Sequence, residues 1–209
     1  MGKGSNLLNI KCILGSLSDE TQIMDYIVYD DATSNKSSNY DLTNISLSFD
    51  NDHYISVSST TSSGNNNYMG FIEPKNMEAL SDFSIECDIK CVSGTGQNGL
   101  IDIDNIVTVS GNQKAVELIS AFNSNDKGIV FRPWDVSNRV KTALSKNIWY
   151  TFKLQIIGTS VTGVISQNGV NVYSKTATYT NASELQHICI YQADVASTIH
   201  WKNLKIQKL

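Results

Sequence analysis

Residues 149–179, WYTFKLQIIGTSVTGVISQNGVNVYSKTATY, decide the fold. Tyr150, Phe152, Leu154 and Ile156 fall on one side of an extended chain, with Thr151, Lys153 and Gln155 on the other. Successive side chains of a strand point to opposite faces, so this period of two predicts a strand resting on a core. Gly158-Thr159-Ser160 turns the chain into a second strand, Val161 to Gln167. Asn168-Gly169 follows, a pair that tolerates the positive φ angles of two-residue hairpin turns. Val170 to Ser174 then runs back, which completes a three-stranded meander.

The same grammar recurs on both sides. In DFSIECDIKC, residues 82–91, Phe83, Ile85, Cys87 and Ile89 alternate with Ser84, Glu86, Asp88 and Lys90. ISLSFD (45–50), HYISVSS (53–59), NIVTVS (105–110), AVELISAF (115–122), GIVFRPW (128–134), HICIYQ (187–192) and IHWKNLKIQ (199–207) read as further strands. About a dozen short strands between Gly-, Asn- and Ser-rich turns predict an all-β, two-sheet antiparallel jelly-roll sandwich. PKNMEALSD (74–82) is expected to form one or two helical turns, and Leu7 to Leu17 a short amphipathic helix. TTSSGNNN (60–67) reads as a loop. One domain over residues 26–209 is expected, preceded by an N-terminal extension, 1–25, that docks it to a larger assembly.

Composition narrows the functional classes. The chain has 209 residues and a formal net charge of −4, with Lys and Arg scattered along it. Nucleic acid is therefore not expected as a partner, because displacing its counterions needs a basic patch. No apolar run approaches the roughly 20 residues of a membrane span. The opening MGKGSNLLNIKCILGSLSDE is broken by Asn9, Lys11 and Gly15 and has no small-residue cleavage site, so no signal peptide is recognisable. Cys12, Cys87, Cys91 and Cys189 fit no metal spacing. Cys87 and Cys91 would lie about 13 Å apart on one strand, too far for a disulfide. Free buried thiols are expected, with a Cys87–Cys189 bridge as the alternative.

The order of the pieces resembles the concanavalin A-like lectin and glucanase superfamily, and within it the laminin-G-like modules. FSIECDIK, the meander NIWYTFKLQIIGTSVTGVISQNGVNVY and the closing IHWKNLKIQ carry the resemblance, which covers about residues 26–209. It implies two antiparallel sheets, one concave, with ligands on the concave face or its rim. Glucanases of this superfamily carry a Glu-x-Asp-x-Glu strand whose glutamates are nucleophile and acid/base. The comparable residues here are Glu86, Asp88 and Lys90. An ammonium at its ordinary pKa is a poor proton donor at neutral pH, so the resemblance does not extend to the catalytic pair. Catalytic residues are therefore expected to be none. No cofactor is expected, with calcium left open at Asp50 to His53 and Phe122 to Gly128, whose oxygen-rich side chains suit it.

Sugar recognition pairs an aromatic face with planar hydrogen-bonding side chains. FRPWDVSNR, residues 131–139, offers that set: Arg132, Trp134, Asp135 and Asn138, with Tyr191 as a neighbour if its strand is adjacent. Trp149 and Trp201 read as core or inter-sheet packing, and Tyr173 as an ordinary strand tyrosine. The resulting expectation is a non-catalytic carbohydrate-binding, lectin-like module for a cell-surface glycan or polysaccharide. It would be extracellular or virion-associated, a receptor-binding, adhesion or decorating part of a phage or viral particle, with residues 1–25 docking other virion proteins. A structural or protein-interaction jelly roll without a sugar site is the alternative, and a polysaccharide-degrading glycosidase or lyase comes third.

Overall fold

The computed structural model describes residues 26–59, 69–77, 80–94, 97–104, 115–132, 135–185, 187–193 and 196–209. The expected strand 105–110, the loop 60–67 and the segment 1–25 with Cys12 lie outside them. Two antiparallel sheets are built from fifteen strands among the described residues. The eight-stranded sheet runs β13 (Val170–Thr178), β12 (Ser160–Gln167), β11 (Tyr150–Ile157), β6 (Phe83–Ser93), β15 (Thr198–Lys208), β4 (His53–Ser58) and β3 (Ile45–Asp50). β1 (Tyr26–Asp30) joins β15 at residues 204–207, beyond the half of β15 that β4 covers. The seven-stranded sheet runs β10 (Arg139–Val140), β9 (Asp126–Phe131), β8 (Ala115–Ala121), β7 (Gln97–Asp104), β14 (His187–Ala193), β5 (Met69–Pro74) and β2 (Tyr40–Thr43).

The meander forms as its periodicity dictates. β11 buries Tyr150, Phe152, Leu154 and Ile156, and leaves Thr151, Lys153, Gln155 and Ile157 outward. Asn168 and Gly169 turn the chain between β12 and β13 with φ of 49° and 77°, the left-handed values the pair was expected to supply. Gly163 faces the opposing sheet so closely that an added Cβ would lie 2.8 Å from Ile129 Cγ1. Glycine therefore sets the sheet separation there. Trp201 is fully buried and stacks on Tyr54 with ring centroids 4.3 Å apart, as its core assignment required. The hydroxyls of Tyr40 and Tyr54 both donate to Asp30 Oδ2, at 2.7 and 2.9 Å, which pins the end of β1 to this aromatic cluster.

Some expectations are corrected. Lys75 and Asn76 form a turn in which Asn76 has φ of 58°, and no helix is found among the described residues of 74–82. The Cys87–Cys189 bridge does not form: Cys87 points into the core from β6, whereas Cys189 belongs to a separate cluster on the far side of the other sheet. Cys87, Cys91 and Cys189 are buried thiols, none of them in a disulfide. Trp149 is half-buried beside His53 and two lysines on the outward side of its sheet, not in the core.

The two sheets differ in what covers them. β6 and β11 alternate buried and partly exposed residues, but every residue of β8 and β9 is buried. The inward residues Val116, Leu118, Ile129 and Phe131 join the main core. The outward ones, Ile119, Ala121 and Val130, form a second apolar cluster with Phe71, Cys189 and Tyr191.

Candidate functional site

On β9, Ile129 and Phe131 turn inward and Val130 outward, and Arg132, one residue past the strand, continues on the outward side beside Glu117, as parity in the sequence requires. Val130 is opposite Glu117 of β8, which brings the Arg132 guanidinium over that carboxylate. Arg132 Nε donates to Glu117 Oε1 at 2.6 Å, and the two side chains are only 8% and 1% exposed. Burial pushes the Glu117 carboxyl up from its ordinary value, against the opposing pull of Arg132 and, more weakly, Arg139. Glu117 Oε2 has no hydrogen-bond partner among the described residues. An ion pair out of water loses several kcal/mol of hydration per charge, so this pair is a poor stabilising device. Its place on an outward sheet face makes it a functional candidate.

The chain beyond Arg132 is held by bonds at both ends of a tight turn. Phe131 and Asp135 exchange backbone hydrogen bonds of 3.0 and 2.7 Å. Asp135 is exposed, and its Oδ1 accepts from the Ser137 N–H at 2.9 Å, one of the bonds that hold its carboxyl below the usual value. Tyr173 of β13 and Tyr179, one residue past its end, clamp the turn. Tyr173 donates to the Asn138 carbonyl at 2.7 Å and accepts the Ile129 N–H at 3.0 Å, while Tyr179 donates to the Arg132 carbonyl at 3.0 Å. Tyr179 also stacks on Phe131 at 4.8 Å. Gly128 makes room for this clamp: with φ of +136°, an added Cβ there would sit 2.7 Å from Tyr173 Cε2.

The expected site residues are therefore only partly gathered. Arg132, Asp135 and Asn138 are brought together by the turn, with Arg132 and Asn138 buried and Asp135 in solvent. Pro133 and Trp134 lie outside the described residues. Tyr191 shares the outward face but is not adjacent: β8 and β7 stand between β9 and β14, about 14 Å across three strand spacings. It is buried and stacked on Phe71 at 5.2 Å.

The loops weighed for calcium use their carboxylates elsewhere. Asp126 is bound by Arg139 at 3.0 Å and Lys141 at 3.4 Å, and Asp52 by His53 at 2.8 Å and Lys202 at 3.3 Å. Among the described residues no group of three His, Cys, Asp or Glu side chains is placed to hold a metal. Glu86 lies between Lys205 at 3.0 Å and Lys153 at 3.8 Å. Asp88 accepts from Thr151 at 2.6 Å and Asn203 at 2.7 Å. Burial pushes the Cys91 thiol up to about 12, so it is not a nucleophile at neutral pH.

Sequence reading missed Glu117. Its only signal was a lone carboxylate in the otherwise nearly apolar run Ala115 to Phe122, where an unpaired charge is not tolerated. It also passed over Tyr173, whose side chain bridges the sheets.

With this geometry in place, comparison with solved structures defines the class: a galectin-like jelly roll. A protein of unknown function with a galectin-like fold from Bacillus subtilis superposes with a TM-score of 0.64 at 8% identity, covering 88% of this chain and 96% of that one. Basic winged bean lectin with Tn-antigen gives 0.63 at 10% identity, covering 86% and 96%. The carbohydrate-binding module CBM66 from Bacillus subtilis gives 0.53 at 14% identity, covering 81% and 96%. At such identities the likeness establishes the fold. Within that class, the chain belongs to the family described as SO2946-like, C-terminal domain, which matches residues 52–205. No curated protein sequence matches it.

Proposed function

We propose that residues 26–209 are a non-catalytic, lectin-like carbohydrate-binding module whose site lies on the outward face of the seven-stranded sheet, at the 131–138 turn. The observation that carries this reading is the buried Glu117–Arg132 pair, a desolvated charge pair with a carboxylate oxygen unused among the described residues. That pair is desolvated before any ligand arrives, so it fixes the base of the turn in advance and leaves the exposed Asp135 carboxylate to accept from a sugar hydroxyl. In this site Arg132 and Asp135 are the polar partners, Trp134 is the stacking face, Asn138 fixes the turn, and Tyr191 bounds the face further along. The fold shared with lectins and with a carbohydrate-binding module supports the same class. Glu86 flanked by two lysines, with Lys90 at the position of a second carboxylate, supports a binding rather than hydrolytic role. In its fuller form the reading places the module outside the cell or on a phage or viral particle, with residues 1–25 docking it to other particle proteins.

A glycan array with the wild type, Trp134→Ala and Asp135→Ala tests it, each variant checked by melting temperature. The expected result is a glycan whose affinity falls about tenfold or more in Trp134→Ala, as for an aromatic anchor. A wild-type protein that binds nothing on the array, or binding unchanged in both folded variants, refutes the reading.

A further inference from the structure

The outward face of the eight-stranded sheet, on the other side of the sandwich, carries a polar hollow that the site above does not use. Its volume is about 150 Å³, and Tyr26, Ser84, Glu86, Lys153, Lys205 and Gln207 line it. Strand register builds it. Lys153 of β11 and Lys205 of β15 both stand opposite Glu86 of β6, and Gln207 stands opposite both Ser84 and Tyr26.

Its chemistry is specific. Lys205 Nζ lies 3.0 Å from Glu86 Oε1 and Lys153 Nζ 3.8 Å from Oε2, so one carboxylate holds two ammonium groups and the described lining residues carry one positive charge in excess. The side chains of Glu86, Lys205 and Lys153 are 30%, 32% and 48% exposed, within reach of a ligand. The Glu86 hydrogen bond and charge raise the Lys205 pKa against the opposing effect of burial, which keeps that cation. Around the ions stand an amide, a hydroxyl and one phenol ring. A peptide would want apolar pockets, and among the described residues the large apolar surface here is the Tyr26 ring with Tyr29 packed against it at 5.4 Å, which forms no pocket. A nucleic acid would want several uncompensated cations, and the described residues lining the hollow carry one. A neutral sugar leaves the excess charge unanswered.

We infer that this hollow binds one carboxylate-bearing sugar unit, a uronate, of an acidic polysaccharide. The sugar carboxylate lies against Lys153 and Lys205, its hydroxyls meet Glu86, Ser84 and Gln207, and Tyr26 offers its ring to the pyranose face. The inference rests on the saccharide-binding reading above but uses different residues, so the two fail separately.

The test is calorimetric titration of the full chain with tetramers of galacturonate, mannuronate and glucuronate, each beside its methyl ester. At least one acid tetramer should bind. Its affinity should fall tenfold or more in Lys153→Gln/Lys205→Gln and in the methyl ester, and stay unchanged in Trp134→Ala. Melting temperature confirms that the double variant is folded, and proton–nitrogen NMR shifts confined to β6, β11 and β15 locate the ligand independently of it. The inference is overturned by the absence of binding to all three acids, or by equal affinity for acid and ester. It is equally overturned if the folded lysine variant keeps wild-type affinity, if an oligodeoxynucleotide binds as tightly with the same lysine dependence, or if Trp134→Ala alone abolishes binding. In that last case the seven-stranded face is the site.

Discussion

Replacing both members of the Glu117–Arg132 pair separates a structural role from a functional one. At 2.6 Å, and with an effective dielectric constant of about 20, the attraction between the two charges is about 6 kcal/mol. The hydration lost by two ions this deeply buried is several kcal/mol each, so the pair nets close to zero or below. Arg132→Met alone leaves the Glu117 carboxylate buried without its counter-ion, and should destabilise the domain by about 3–5 kcal/mol. Glu117→Leu alone takes the counter-charge from the buried guanidinium and should also destabilise the domain. Glu117→Leu/Arg132→Met puts two apolar side chains beside Val130 and Ile119, which already form an apolar cluster. That double variant should be as stable as the wild type, or more stable by about 1–4 kcal/mol. Urea unfolding of the four proteins completes the cycle, and the glycan bound by the wild type is titrated into each folded variant. A double variant that loses more than about 3 kcal/mol would show that the pair holds the sheet together and would refute the energetic argument. A stable double variant that binds glycan like the wild type would remove the pair from the site.

Tyr173→Phe takes away the hydroxyl that bridges the Ile129 N–H and the Asn138 carbonyl, which should cost about 1–3 kcal/mol and weaken glycan binding by loosening the 131–138 turn; unchanged melting and affinity would contradict the clamp. Gly169→Val places a β-branched residue at φ of 77° and should destabilise by about 1 kcal/mol or more, so an unaltered melting temperature counts against the hairpin geometry. Incubation with β-glucans, galactans and host-type polysaccharides should release no reducing ends, and turnover lost in Glu86→Gln would revive a glucanase reading. Burial, followed by the charges of Lys90 and His53, pushes the His200 imidazole down to about 4 from 6.5. A folded-state pKa below the unfolded one means its contribution is fully present above pH 6.5 and is lost as pH falls through 4. Melting temperature should therefore decline less steeply over that window in His200→Gln than in the wild type, and parallel declines would falsify the assignment.

What could be read from the sequence follows from which contrasts survive in one dimension. β11 and β12 of the meander were legible because one face is buried and the other wet, so the period of two is written into the residue types. β13 is exposed on both faces except at Tyr173 and Ala177, and was legible from the Asn168-Gly169 turn that precedes it. β8 and β9 were legible as strands, but not in what covers them: both faces are apolar, and the alternation that would locate Glu117 is erased. Trp149 was misread although the information was present. It has the opposite parity to Tyr150, Phe152 and Leu154, which places it on the outward face, where Lys90 and Lys202 sit 4.8 and 4.9 Å from its ring. The lysines looked scattered because clustering along the chain is not clustering in space. Lys205 is 119 residues from Glu86, and only the order β11–β6–β15 aligns Lys153, Glu86 and Lys205 into one row. Sheet order is decided by packing over the whole sandwich, so a site made of one residue from each of three strands leaves no local signature. The 131–138 turn does leave one, because its residues are consecutive. That is why sequence reading reached a candidate site there, and passed over the hollow on the opposite face.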